Sequence, residues 1–133
     1  MKIVIDATGG VLGRITSYAA KQALLGKEVI IVNCANVLIS GNKEMIIRKY
    51  KEAMYRGGFS LNGPFFIKRS PERIVKRTVR GMLSYKQGRG KAAFDRIMCY
   101  DDVPVEFANE KKIVLKREVK VSAMTLSKLI KVV

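Results

Sequence analysis

The chain has no histidine, no tryptophan and two cysteines, and its eleven Asp and Glu are outnumbered by twenty-six Lys and Arg. Each shortage excludes something. Without histidine, the usual general base and the commonest metal ligand are gone. Cys34 and Cys99 lie far apart and form no C-x-x-C pair, so they read as small buried hydrophobes rather than as a metal or redox motif. With aromatics at 8%, aliphatic side chains must fill the core. No apolar run approaches the ~18 residues that a spanning helix needs. Val29 to Val32 is typical of the runs present, and three apolar residues after Lys2 give way at once to Asp6. We therefore expect no signal peptide, no membrane partner and a cytoplasmic protein.

What is present is positive charge. The 133 residues carry a net +15 and a pI near 10.1, with 48% hydrophobic content, which is globular composition. A fold does not require such an excess, and self-repulsion opposes it, so a polyanionic partner is the simplest account. Its distribution is uneven: residues 1–40 carry +2, residues 41–100 carry +11, and residues 101–133 carry +2. The expected organisation is one domain over 1–133. Its basic helix-and-loop region spans about 41–96 and a tail covers about 108–133.

Hydrophobic patterning gives an α/β fold. Lys2 to Asp6 reads as a strand buried on both faces, and a glycine turn follows. Leu12 to Leu25 reads as a helix with Leu12, Ile15, Ala19 and Ala23 inward, stopped by Gly26. Glu28 to Asn33 is a second strand, which makes a right-handed βαβ unit with a parallel sheet. A short extended piece at Val37 to Ile39 precedes a helix over Lys43 to Met54, with Ile46, Ile47, Tyr50 and Met54 inward. Glycines and Pro64 mark 57–69 as an irregular loop. Ser70 caps a third helix, with Pro71 at its first position and Glu72 in its first turn, running to about Leu83. A Gly-rich basic loop spans Lys86 to Lys91. Strands follow at Ile97 to Tyr100 and around Ile113 to Leu115, then a helix from about Thr125 to Val132. The predicted architecture is a three-layer α/β/α fold around a small, mainly parallel sheet of about four strands.

Four features bear on function. In the third helix, Arg73, Lys76, Arg77 and Arg80 recur at i, i+3, i+4 and i+7, opposite an apolar stripe of Ile74, Val75, Thr78, Val79, Met82 and Leu83. Two turns rise ~11 Å, enough to set cations beside successive phosphates. Lys68 and Arg69 precede that helix, and Lys86, Arg89 and Lys91 follow it among Gly88 and Gly90. Tyr55, Phe59, Phe65, Phe66 and Tyr85 lie in or near these segments, where they could stack on bases or pin loops to the core. The third feature is Thr8 to Gly13, between strand and helix as in a nucleotide-binding turn, although Thr8 stands where that fingerprint needs glycine. We read it as a tight structural turn. The fourth is Asp6 with Asp101 and Asp102 at strand ends, which could hold Mg²⁺ but fit capping and turn duty better.

The motifs occur in a recognisable order. I-D-A-T-G-G-V-L-G-R at 5–14 resembles the N-terminal signature of the ribosomal L-thirteen family of the large subunit. V-N-C-A-N-V-L-I-S-G-N-K at 32–43, R-T-V-R-G-M-L at 77–83, K-Q-G-R-G-K-A-A at 86–93 and Y-D-D-V-P at 100–104 continue the series. The start directly at the first strand is similar to the archaeal form. The resemblance implies large-subunit rRNA and neighbouring large-subunit ribosomal proteins as partners, a role in subunit assembly, and no catalytic activity. Ser84 departs from the family, which commonly has proline after R-G-M-L, and the tail beyond Phe107 matches less. No catalytic residue, cofactor, metal or small-molecule substrate is expected. The expected RNA-binding residues are Lys43, Arg48, Arg56, Lys68, Arg69, Arg73, Lys76, Arg77, Arg80, Lys86, Arg89 and Lys91. The competing reading is a nucleotide- or Mg-dependent phosphoryl-transfer domain built on the Thr8 to Gly13 turn. A third is a general nucleic-acid-binding module outside the ribosome.

Overall fold

A computed structural model describes residues 1–55, 70–115 and 122–132. The side chains of Met54 and Tyr55, and the loop expected at 57–69, lie outside the described residues.

Strand β1 (Lys2–Asp6) leads through the glycine turn into helix α1 (Leu12–Leu24), and β2 (Glu28–Val32) returns beside β1. The two strands run parallel, with Ile5 opposite Ile31. Strand β3 (Leu38–Ser40) and helix α2 (Lys43–Tyr55) follow, then α3 (Pro71–Gly81), α4 (Gly88–Asp95) and β4 (Ile97–Cys99). The chain closes with β5 (Lys112–Val114), β6 (Ala123–Thr125) and α5 (Leu126–Val132). The main sheet has the order β4-β2-β1-β5, parallel throughout, and β3 pairs antiparallel with β6 in a separate two-stranded sheet.

Alternation along the strands divides the core. Ile5, Val29, Ile31 and Ile97 meet the buried stripes of the helices: Ile15, Ala19 and Ala23 of α1, Val75 and Val79 of α3, Ala93 of α4, and Leu126 and Leu129 of α5. Val4, Ile30 and Val32 point the other way, onto Phe107 of the short 3₁₀ helix Val105–Phe107. The fold is therefore α/β with a mainly parallel sheet flanked by helices, and the two flanking layers are unequal. Each fully buried Ile or Leu contributes about 1.5–3 kcal/mol by leaving water. Thr16, the one buried polar residue among those described, donates its hydroxyl to Leu12 O at 2.8 Å and so leaves nothing unpaired.

Two details differ from the sequence reading. The basic segment expected as a loop at Lys86 to Lys91 turns helical at Gly88. Gly90 is the reason: a Cβ there would lie 2.0 Å from Ser84 O, so only glycine lets α4 pack against the turn after α3. Strand β6 has no counterpart in the sequence pattern, because three residues without alternation carry no readable period, and its partner β3 is equally short.

Candidate nucleic-acid interface

Helix α3 is fixed at its N-terminus by a part of the chain remote in sequence. Ser70 occupies the N-cap position with extended backbone, but its hydroxyl does not cap the helix. Asp101 does so instead: the Glu72 N–H donates to Asp101 Oδ1 at 2.9 Å, and Ser70 Oγ donates to Oδ2 at 3.4 Å. A carboxylate at a helix N-terminus also complements the helix dipole. Ile74, Val75 and Val79 anchor the inner face against the sheet.

The cationic positions divide. Arg73 and Arg77 are exposed, and Arg80 is half-exposed with its guanidinium 5.1 Å from the Tyr85 ring. Arg77 feels burial and the repulsion of Arg80, both of which press its pKa down from the usual arginine value, although a guanidinium stays charged. Lys86, Arg89 and Lys91 are exposed at the start of α4, beyond the turn that joins it to α3. Lys43 and Arg48 are exposed on α2. Arg56, Lys68 and Arg69 lie outside the described residues.

Lys76 departs from the expected stripe. Its ammonium turns inward, donates to Phe94 O at 2.9 Å and to Ile97 O, and stands 4.2 Å from the centre of the Phe94 ring. Burial pushes its pKa down. The position is intermediate between faces, and a lysine's long stem lets the head reach two carbonyls at the end of α4 and in β4. Spacing alone cannot report that reach.

Carboxylates gather elsewhere. Among the described residues, Lys2 Nζ pairs with Glu110 Oε1 at 3.1 Å at the start of β1, while Arg73, Arg80, Lys86, Arg89 and Lys91 form no such pair with a described acid. The acids singled out by sequence have other duties. Asp6 Oδ1 accepts from Asn33 Nδ2 and from the Thr8 N–H, both at 3.0 Å, while Asp101 caps α3. No cluster of three potential metal ligands occurs among the described residues.

The glycine turn holds itself closed. The Gly9 N–H donates to Asn36 O at 3.3 Å, the Gly10 N–H to Ala7 O at 3.1 Å, and the Thr8 N–H to Asp6. Gly9 takes φ 72°, and a Cβ on Gly10 would fall 2.3 Å from Ile15 Cδ1. These donors face protein acceptors rather than an anion, as a structural turn requires. Cys34 is buried, and hydrogen bonding to Cys99 together with burial raises its thiol pKa far from the reactive range.

Sequence reasoning does not single out Lys49 and Tyr50 as candidate site residues. They line a hollow of about 230 Å³ between α2 and α3, together with Arg77. The available signal is an inward aromatic flanked by Lys49 and Lys51.

These features define a class: a basic α/β scaffold that presents cations from helices packed on a common core, with Asp6 and Asp101 spent on a turn and a cap. Residues 1–106 match the family profile described as ribosomal protein L13. The relatives agree. The chain is 45% identical to the large ribosomal subunit protein uL13 of Methanosarcina barkeri, over 84% of this chain and 79% of that one. It is 47% identical to the protein of the same name from Archaeoglobus fulgidus, over 77% of this chain and 65% of the other. The Methanococcoides burtonii protein, also so named, is 46% identical over 78% and 73%. The chain belongs to the ribosomal protein L13 family, whose members are structural ribosomal proteins rather than enzymes.

Proposed function

We propose that this protein is a constituent of the large ribosomal subunit that grips large-subunit rRNA by its phosphates and supports subunit assembly in the cytoplasm. The observation that carries this reading is the set of outward cations on two helices that both pack against α1 and β4, Arg73, Arg77 and the half-exposed Arg80 on α3 with Lys86, Arg89 and Lys91 around the start of α4. A rigid α/β body fixes their spacing, so little conformational entropy is lost when they meet a backbone of fixed charge. Lys43 and Arg48 extend the surface along α2, and Arg56, Lys68 and Arg69 join it on sequence grounds. Lys76 is left out, since its ammonium is committed to Phe94 and Ile97. Affinity then comes from many phosphate contacts and selectivity from RNA shape. Neighbouring ribosomal proteins are the remaining partners.

The test is a map of protein–RNA crosslinks in purified large subunits of the source organism. Crosslinks at peptides carrying Arg73, Arg77, Arg80 and Arg89 are expected. If the protein sedimented apart from the large subunit, or these peptides stayed free of RNA within it, the reading would fail.

A further inference from the structure

The hollow beside Tyr50 belongs to a longer groove. From about 230 Å³ bounded by Ala53, Ile74, Arg77 and Gly81, it passes Lys49, Tyr50 and Thr78. It then opens into about 410 Å³ against Leu12, Gly13, Ile39 and Ile46. Its walls are more apolar than polar, and the residues lining both parts include no carboxylate. Glycines flank both parts, and a Cβ added at Gly13 or Gly81 would meet nothing within 4 Å. Tyr50 is half-buried in the middle; burial raises the pKa of its phenol, and the charge of Arg77 pulls against that rise, so cation and aromatic are neighbours. The Thr78 hydroxyl donates to Ile74 O at 2.8 Å, which leaves the oxygen able to accept.

An open phosphate-binding face has no use for such a groove. A flat aromatic, apolar walls, a hydroxyl acceptor and cations at the rim suit an anionic ligand with a planar ring. Unpaired RNA offers this, since splayed bases stack on aromatic side chains while the backbone meets Lys and Arg. We propose that the groove between α1, α2 and α3 receives one unpaired nucleotide of the bound RNA, its base against Tyr50 and its phosphate at Lys49 and Arg77. This rests on the rRNA-binding reading and adds to it a site for a single base. The groove is continuous with the cationic side of α3 through Arg77, so an RNA strand held there reaches it without a break.

The test fills the groove without removing charge. Ala53→Phe fills the hollow beside Tyr50, and Gly81→Leu fills the same hollow from α3 should the first variant fold poorly. The probe is deproteinised large-subunit rRNA of the source organism, and circular dichroism reports folding. Each folded variant is expected to bind about tenfold more weakly, the worth of one base–aromatic stack. The slope of affinity against salt stays unchanged, because every cation is retained. Ultraviolet irradiation of the wild-type complex is expected to leave a nucleotide adduct on the peptide containing Tyr50. Unchanged affinity in a folded variant, or adducts on α3 with none at Tyr50, would overturn the groove proposal and leave the phosphate-binding reading standing. Failure of the wild-type protein to bind the rRNA at all would overturn both.

Discussion

Residues 1–40 and residues 70–96 are both well packed, yet they spend their polar groups in opposite ways. In the first stretch, Thr8, Gly9 and Gly10 give their N–H groups to internal acceptors, and Asp6 is held by Asn33 and Thr8. Four cations in forty residues leave little to offer a partner. In the second stretch the inner stripe is as apolar, with Val75 and Val79 fully buried, but Arg73, Lys86, Arg89 and Lys91 stand in solvent. The difference teaches that burial and charge are separately placed: one region supplies rigidity and the other supplies the field. Within α3 the same contrast recurs one residue apart, between Lys76, turned in to two carbonyls, and Arg77, turned out.

The largest effect comes from breaking the rigid region. Ile31 is fully buried in the central strand β2 between Ile5 and Cys99 of its neighbours. Ile31→Ala should cost about 4 kcal/mol of stability through lost transfer energy and the cavity left behind. Urea unfolding measures it. RNA affinity should fall only in proportion to the unfolded fraction. A loss below about 1 kcal/mol would show that the sheet is looser than its packing implies.

The next effect belongs to the other region. Reversing Arg77 and Arg80 to Glu should weaken rRNA binding about a hundredfold at low salt and flatten the salt dependence by about one in slope for each phosphate no longer neutralised. Stability should fall by no more than about 2 kcal/mol, the worth of the Arg80 contact with Tyr85 and of a cation in the last turn of α3. Filter binding at several salt concentrations, paired with urea unfolding, separates the two quantities. An unchanged slope would remove α3 from the interface.

Lys76 sharpens the contrast, because it is a cation on the basic helix α3 that should behave like scaffold. Lys76→Met keeps the stem over Phe94 but leaves Phe94 O and Ile97 O without this donor, at a cost of about 2 kcal/mol. The salt slope of the folded variant should match wild type. A reduced slope with unchanged stability would mean that the ammonium leaves its carbonyls to meet a phosphate.

How much of the molecule is legible in its sequence depends on the length of the pattern. The bounds of β1 and α1 follow from unbroken apolar residues and a 3.6-residue stripe over thirteen positions. Helix α3 is readable for the same reason, with Pro71 marking its start. Its true cap, Asp101, is not, since no local pattern links residues thirty apart. Strands β3 and β6 are three residues each and owe their existence to pairing with one another. Helix α4 is hidden by glycines that usually break helices, and only the approach to Ser84 explains Gly90. At the interface, residue type and spacing indicate the charged helix but not the direction of each side chain. Spacing therefore groups Lys76 with its neighbours, and the groove at Tyr50, which needs three helices to exist, shows in the sequence only as an inward aromatic between two lysines.

The smallest effect probes the scaffold by pH. Burial opposes the charge of Asp6, but the Asn33 amide, the Thr8 N–H and hydroxyl, and the Lys112 ammonium outweigh it and hold the carboxyl below its ordinary 3.8. A carboxyl whose pKa is depressed by folding contributes stability that is complete above the unfolded value and lost as pH falls through the folded one. Asp6→Asn keeps an oxygen to accept from Thr8 but carries no charge. Wild type should thus lose more stability than the variant between about pH 5 and about pH 2, the range over which such a carboxylate takes up its proton. Urea midpoints of the two proteins across that range give the comparison, and their difference cancels every other acidic group. Parallel curves would mean that the unfolded chain protects the charge equally, and the turn after β1 would then owe its shape to Gly9 and Gly10 alone.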